Sequence, residues 1–542
     1  MGGEFDLPGN KGRWYFEASR PILNGKPDTP IAEFPYFTFL YGDLHPHMLV
    51  MPVYGLVFGW LLNLLLWKPA RFRWAERVSG LIAAVLVFGV FRAAHTWDFP
   101  TFIGLGVLAI AWNVWQSETG SFKNAARIIL IYTLLFAGLA VLFYRPFAEW
   151  FKTEYVSLEL WKGLRTPLVD YFYAFGLPLF VMLTALLREL IPDLRSGFWR
   201  WFSAGRERLA NVFKRHYLLL YLALLAAPYL LGILWVSDYQ ILTFGVPLLF
   251  GVAYLILAKR GLSPLQRVMW LLFGAALFIT LFVDVFVLKG DAGRSNTVFR
   301  FYLQAWFFFG FAFSLALTEI FAAMRKWSSP AKMAWSSVFG LLVFFAALYP
   351  LTATEKKMSD RWPDIQNPPQ TLDGSAFMLG DAVSLNPAIY YDDNRPINLS
   401  RDYAAIRFMQ DEIDGSPVFV EGHTWEYRWG SRFAIHTGLP SVVGWSWHVR
   451  QHNSLLDGAV VEKLIAEVDD FYNTTDIAAA RRFLEKRQVR YVVLGDLERA
   501  YYDPNGVRKF EEMLKDGTLR MVFGDGTSRT TTIFEVAKKP ME

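Results

Sequence analysis

Asp43-Leu44-His45-Pro46-His47-Met48-Leu49-Val50-Met51-Pro52-Val53-Tyr54-Gly55-Leu56-Val57-Phe58-Gly59-Trp60-Leu61-Leu62-Asn63-Leu64-Leu65-Leu66 opens with a carboxylate and two imidazoles, then continues to Leu66 without another charged side chain. About twenty apolar residues is the length of helix that crosses a bilayer. Ionisable groups therefore stand at the mouth of a membrane span. Asp43, His45 and His47 alternate, so in an extended segment all three point to one side. Pro46 pushes His45 out of the helical region and suits the first turn of the following helix. The three side chains then lie beside a helix N-terminus, whose unpaired N–H groups attract anions. This is the expected centre of an active site. The plainer alternative is an interfacial cap whose polar groups wet the membrane boundary.

Further apolar runs lie near 78–95, 100–115, 126–144, 171–191, 217–235, 239–257, 268–288, 298–324 and 332–350. With 46–66 they make about ten spanning helices, an α-helical polytopic membrane bundle. The whole chain agrees, with 54% hydrophobic and 17% aromatic residues in 542. Basic loops follow each odd-numbered span: Lys68, Arg71, Arg73 and Arg77; Lys123 and Arg127; Arg188 to Arg215; Lys259, Arg260 and Arg267; Arg325, Lys326 and Lys332. The positive-inside rule puts those loops in the cytoplasm of a plasma-membrane protein. The Asp43 motif and everything after Pro350 then lie outside. The formal charge of +5 is modest, and no nucleic-acid partner is expected. With no cysteine, disulfides, thiolate metal sites and a cysteine nucleophile are excluded.

Three segments follow: an extracytoplasmic N-terminal stretch, 1–43; a transmembrane domain, 44–350; and a soluble extracytoplasmic α/β domain, 351–542. The last begins with an exposed linker, Pro363-Asp364-Ile365-Gln366-Asn367-Pro368-Pro369. Helical spacing over Asp402–Ile413, Ile477–Lys486 and Val507–Leu514 alternates with strands at Pro417–Glu421, Val489–Leu494, Leu519–Phe523 and Thr531–Val536, the pattern of a small layered α/β fold. No Gly-rich phosphate loop and no internal repeat is visible. Residues 1–40 hold no signal peptide or span although the topology places them outside, so the chain is expected to be the later part of a longer protein.

Ionisable groups inside membranes are costly, and their positions are informative. Arg92 and His95 share a helix face near the outer end of the second span, and Asp98 follows, with Pro100 suited to open the third. Asp284 lies about one turn from the outer end of the eighth span. Beyond it Asn296, Arg300 and Gln304, spaced by four, form a polar stripe down one helix face, with Asn296 as a candidate cap. Each has a plainer role: arginines snorkel to headgroups, and Asp284 pairs with Lys289. Their shared position at the outer leaflet points instead to a phosphate or diphosphate ligand. Histidines next to an aspartate suit metal binding or proton removal from a hydroxyl. In the soluble domain, Trp425–Arg432 and Trp445–His452 are dense in aromatic and polar groups, suited to sugar or headgroup contact or to a packed seam.

The Glu33-Phe34-Pro35 segment and Gly42-Asp43-Leu44-His45-Pro46-His47-Met48 resemble the hallmark of the bacterial and archaeal YYY membrane proteins, a domain family of unknown function. Thr96–Pro100, Arg294–Trp306, Tyr427–Arg432 and Thr437–Pro440 also resemble its pattern, and members usually carry further hydrophobic segments upstream. The family is similar in layout to the C-type glycosyltransferases, which move sugars from polyprenyl-phosphate carriers and keep an acidic motif in the first outer loop. The resemblance implies a membrane glycosyltransferase with Asp43 as general base. His45 and His47 bind a divalent ion (Mg, Mn or Zn) or the donor phosphate, with Glu33 and Asp98 as secondary ligands. Arg294 and Arg300 hold the leaving lipid phosphate, with Asn296, Gln304, Arg92 and His95 completing the substrate site. No regular Asp-x-Asp motif is present. Expected partners are membrane lipids, a polyprenyl-phosphate-linked sugar, and a glycan, lipid or protein acceptor. A transporter or flippase for an anionic or lipid-linked substrate, and a noncatalytic glycan-binding scaffold, are the rivals.

Overall fold

In the computed structural model the described residues are 15–22, 30–42, 45–66, 74–117, 121–151, 157–203, 230, 232, 234–259, 261–291, 293–361, 371–379, 388–389, 396–426, 429–453, 457–527 and 530–537. They divide into two compact units: Met1–Trp150 with Tyr155–Lys357, and Phe151–Glu154 with Met358–Glu542.

The first unit contains helices α1 (Pro35–Tyr41), α2 (Pro46–Leu66), α3 (Trp74–Gly89), α4 (Phe91–Ala94), α5 (Asp98–Ser117), α6 (Phe122–Phe143), α7 (Arg145–Trp150), α8 (Leu168–Ser203), α9 (Gln240–Leu257), α10 (Pro264–Val285), α11 (Ser295–Met324) and α12 (Ser329–Arg361). Among the described residues nine helices are long and apolar enough to cross a membrane, α3 and α4 counting as one. The expected sixth span, near 217–235, and the linker Pro363–Pro369 fall largely or wholly outside those residues.

Inside a bilayer the surrounding lipid is as apolar as the helices, so close packing and interhelical hydrogen bonds hold the bundle together. Aromatic rings supply much of that packing. Tyr54 stacks on Phe102 at 4.9 Å and meets Phe307 edge-on at 4.9 Å, while Phe91 stacks on Phe102 at 4.5 Å. A Cβ on Gly106 would come within 2.7 Å of the Phe136 ring, so only glycine permits that approach of α5 and α6. Outward-facing Leu56, Leu108, Leu134, Phe250, Phe278 and Phe344 form the apolar surface that lipid would cover.

The packing also fixes relative direction. His47 meets Phe299 and Tyr54 meets Phe307, so α2 and α11 run the same way. Asp98 with Gln304 and Phe102 with Phe308 add α5. Phe175 with Tyr302 and Arg188 with the Glu319 carbonyl add α8. Helix α10 runs against them, Phe282 meeting Phe301 and Phe273 meeting Phe309. It starts at a capping box in which the Ser263 hydroxyl accepts from Gln266 N and the Gln266 side chain accepts from Ser263 N. The helices that begin at the His45 end are therefore those followed by basic loops, as the alternation of charge implies.

One helix runs further than the apolar run that marks it. The break at Pro350/Leu351 falls inside α12, which continues to Arg361. The reason is packing: Ala353 is buried with Tyr15 and Phe37, the Tyr349 hydroxyl donates to Tyr15 O at 2.7 Å, and the Tyr36 and Thr354 hydroxyls are 2.6 Å apart. The described part of 1–43 thus belongs to the same compact unit as the membrane helices. The second span runs through Val90, whose backbone stays helical and bonds to Leu86 O, so α3 and α4 form one span, Trp74–Ala94.

The second unit contains α13 (Leu399–Glu412), α14 (Arg432–Thr437), α15 (Ser446–His452), α16 (Gly458–Asn473), α17 (Ile477–Lys486), α18 (Asp496–Tyr501) and α19 (Pro504–Lys515). Its four-stranded sheet comprises β5 (Phe419–Val420), β6 (Tyr491–Leu494), β7 (Leu519–Phe523) and β8 (Thr532–Val536), in the order β5-β6-β8-β7. Two-stranded pairs β1 (Leu158–Leu160) with β2 (Phe286–Leu288) and β3 (Ala388–Ile389) with β4 (Pro396–Ile397) precede it in the chain. The β5–β6 pairing is parallel and the others in the sheet are antiparallel. Strand alternation loads both faces. Val492, Leu494 and Phe534 pack with Phe471, Phe483 and Phe510, whereas Val493 and Ile533 pack with Ile406 and Phe433. Helices α13, α16, α17 and α19 start at Asn398, Asp457, Asp476 and Asp503, whose side chains each accept from a first-turn backbone N–H.

Candidate functional site

Three segments distant in sequence meet at the end of the bundle where α2, α5 and α11 begin. Pro46 is the first residue of α2, as expected, but the helix includes His47, so an extended alternation of Asp43, His45 and His47 does not extend past His45. The imidazoles still adjoin, with ring centres 5.2 Å apart, and His47 lies edge-on to Phe299 at 4.4 Å. His45 is exposed; His47 is buried, its Nε2 3.3 Å from the Thr38 hydroxyl. Phe299 immediately precedes the half-buried Arg300. Asp43 lies outside the described residues.

Two turns along α2 from His47, Tyr54 reaches Asp98 at the start of α5. Its hydroxyl donates to Asp98 Oδ2 at 2.5 Å, and Gln304 Nε2 donates to Oδ1 at 2.7 Å. His95 Nδ1 lies 2.7 Å from the same Oδ1. Asp98 is wholly buried and Gln304 likewise. A carboxylate at this depth is costly unless paired and hydrogen-bonded, and here residues from three helices surround it. Arg92 lies over the Phe99 ring at 5.3 Å. His95, Asp98 and Gln304 are therefore brought together, with Tyr54 as the member that sequence spacing did not single out. Its signal was weak: one tyrosine on an otherwise apolar helix.

Arg294 belongs elsewhere. It is fully buried, donating through Nη1 to Asp284 Oδ1 at 2.8 Å and through Nη2 to the Thr166 hydroxyl at 2.8 Å. Thr166 N also donates to Asp284 Oδ1, at 3.0 Å. The plainer alternative for Asp284 was a pairing with Lys289; Arg294 takes that place because the turn after β2 folds it back over the end of α10. Asn296 does not cap α11. Asp291 does, accepting from the backbone N–H of Asn296 at 3.1 Å and of Thr297 at 2.8 Å, and holding the Asn296 amide at 3.0 Å. Glu33 is 2.7 Å from Arg20. The expected metal ligands are thus divided: Glu33 on Arg20, Asp98 inside the bundle, and the histidines against Phe299. Among the described residues no group of three or more His, Cys, Asp or Glu side chains is placed to hold an ion.

The second unit has its own buried charge cluster, at the carboxyl ends of parallel strands β5 and β6. Arg432 is fully buried. Its Nε donates to Asp402 Oδ2 at 2.6 Å, and Nη1 and Nη2 donate to the two oxygens of Glu498, each at 3.0 Å. Glu498 also accepts from Gly422 N and Gly495 N. Glu421 accepts from the backbone of Phe433 and Ala434, both at 3.0 Å. A Cβ on Gly495 would sit 2.8 Å from Arg432 Nη2 and 3.0 Å from Asp402 Oδ1, so the fork needs glycine there. Sequence reasoning noted Arg432 and missed this network, because its carboxylates lie 30 and 66 residues away.

Burial pushes the Glu421 carboxyl up to about 7, whereas Glu498, despite its burial, is held below the usual range by the Arg432 guanidinium. A carboxyl whose folded value exceeds its unfolded one stabilises the fold at low pH and loses that contribution as pH rises through the folded value. The Glu421 contribution to the stability of the second unit should therefore fall between about pH 5 and pH 8, by on the order of 1–3 kcal/mol, against opposite contributions from Lys509, His423 and His436, whose burial lowers them. Hydrogen exchange of the α14 amides at the two pH values measures this, and Glu421→Gln should flatten the dependence. Glu498 works oppositely, its contribution fading only as pH falls into the carboxylate range.

The model of a family described as "Uncharacterized membrane protein (DUF2298)" matches residues 2–309. No curated protein matches the chain.

Proposed function

The chain belongs to this family of uncharacterized membrane proteins, and from that premise we propose that it is an integral membrane glycosyltransferase, using a polyprenyl-phosphate sugar donor and a glycan, lipid or protein acceptor. One observation carries the reading: polar groups from α2, the α4–α5 junction and α11 gather, largely buried, at one end of the bundle. A donor whose phosphate rests at a membrane boundary while its hydrocarbon tail lies among helices needs such an arrangement.

In this reading Asp43 takes the proton of the acceptor hydroxyl. That oxygen forms a bond to the sugar's anomeric carbon as the bond from that carbon to the phosphate oxygen breaks, and polyprenyl phosphate leaves. His45, His47 and Arg300 stabilise the charge that grows on the phosphate; Arg92 and the Asp98 cluster fix the walls around it. Arg294, consumed by Asp284, is reassigned to holding the turn before α11. The site faces outside the plasma membrane, and the second unit is extracytoplasmic, both on the strength of the basic-loop pattern. The resemblance to the YYY proteins and to C-type glycosyltransferases in layout supports the reading and is fold-level analogy.

The test is release of polyprenyl phosphate by purified, reconstituted protein across a panel of polyprenyl-phosphate sugars with added acceptors. Wild type should consume at least one donor, and Asp43→Asn should lower the rate by at least about a hundredfold without changing thermal unfolding. A wild type inert to the whole panel, or an Asp43→Asn variant at full rate, overturns the assignment.

A further inference from the structure

We propose that Glu421–Glu426, which follow β5, together with α15, form a binding site for a neutral glycan. Its base is unusually well fixed. Glu421 and Gly422 enter the Arg432 network described above, and Gly430 N donates to the Thr424 hydroxyl at 3.0 Å, an approach that a Cβ on Gly430 would block. Ser431 then adopts φ +60°, a left-handed conformation costly for a residue with a side chain. This buried and strained anchor holds up a tip that displays Trp425 at 80% exposure. A large indole left in water beside a hydrogen-bonded base is a binding feature more than a packing one.

A second exposed indole lies on α15, which Glu426 ties to this stretch. The Glu426 carboxylate accepts from the Ser446 hydroxyl at 2.7 Å and from Trp447 N, tying the start of α15 to the residue after Trp425. Trp447 is 58% exposed. Beside them His423 Nε2 is buried without a hydrogen-bond partner, although His423 N is satisfied by the Tyr502 hydroxyl at 3.0 Å. Burial lowers the His423 imidazole, so near neutral pH it offers a neutral nitrogen. The charged groups that face it are Asp469, Glu426 and Glu462 against Arg450. Glu462 is paired with Arg450 at 2.5 Å, and the Asp469 and Glu426 carboxylates disfavour a phosphate at His423. Two flat apolar rings, an unsatisfied imidazole nitrogen and surrounding carboxylates suit a sugar, whose C–H face stacks on indole while its hydroxyls donate and accept at the rim. The position, beyond the carboxyl ends of a parallel strand pair, is where open sheets commonly bind ligands.

As a glycan-holding face of the proposed transferase it rests on that reading, but binding is measured without donor. Full-length protein in neutral detergent is titrated with short linear glucans, mannans and galactans, followed by tryptophan fluorescence and calorimetry. Wild type should bind at least one, Trp425→Ala or Trp447→Ala should each weaken binding by about tenfold, and the double variant should abolish it. Asp43→Asn should bind as wild type, which separates failure of the catalytic assignment from failure of this one. No binding across the panel, or a double variant that binds normally, overturns the proposal. So does a loss of binding to phosphatidylglycerol vesicles on removing the indoles with no sugar bound, which would make the face a membrane-docking surface.

Discussion

Arg294→Met is expected to destabilise the membrane unit by about 3–5 kcal/mol, because it strands a buried carboxylate without its cation. Asp284 accepts from Arg294 Nη1 and Thr166 N at once, in surroundings with no solvent. Removing the guanidinium leaves the Thr166 hydroxyl without its Arg294 partner as well. The loss should appear in denaturant or thermal unfolding of detergent-purified protein. The double variant Asp284→Leu/Arg294→Met should recover part of it, since replacing both charges by apolar groups removes the desolvation cost while Thr166 N stays unsatisfied. A phosphate ligand behaves differently: its loss would weaken donor binding and leave unfolding unchanged. A normally stable Arg294→Met protein would return this residue to the substrate site.

Arg432→Met should have a comparable effect on the second unit, about 3–5 kcal/mol. Asp402, Glu421 and Glu498 would share a buried site with no compensating cation. The defect should be milder at pH 5 than at pH 8, because carboxyls that lose their cation rise and can protonate. Arg432→Lys should rescue poorly. A single ammonium cannot reproduce the fork that reaches Asp402 through Nε and both Glu498 oxygens through Nη1 and Nη2. Hydrogen exchange in α13, α14 and α18 reads the result, and an Arg432→Met unit as protected as wild type would contradict it.

The membrane helices were legible because bilayer thickness imposes a length on apolar runs and charged loops punctuate them. Ile477–Lys486 and Leu519–Phe523 were likewise read to the residue, from periodicity bounded by polar turns. Helix Gly458–Asn473 was missed although Asp457 stands at its N-cap and Val461, Leu464, Ile465 and Val468 mark its buried face. Partners of charged groups were the hardest to read. Asp284 lies five residues from Lys289 and ten from Arg294, and the β2 turn alone selects the second. Asp291 caps α11 from outside the helix, a choice made by loop geometry rather than by residue type at the cap position. At the candidate site, the proximity of His47 to α11 and of Asp98 to Gln304 depends on helix packing across more than two hundred residues, which spacing within one segment does not encode.

The most direct test of the central claim is a cryo-EM map of the reconstituted protein with a non-transferable polyprenyl-phosphate sugar analogue. Its phosphate is expected beside His45, His47 and Arg300, at the end of the bundle where α2 and α11 begin, with the anomeric carbon toward Asp43. Phosphate density at any other part of the bundle, or a saturating analogue that leaves this end empty, would contradict it.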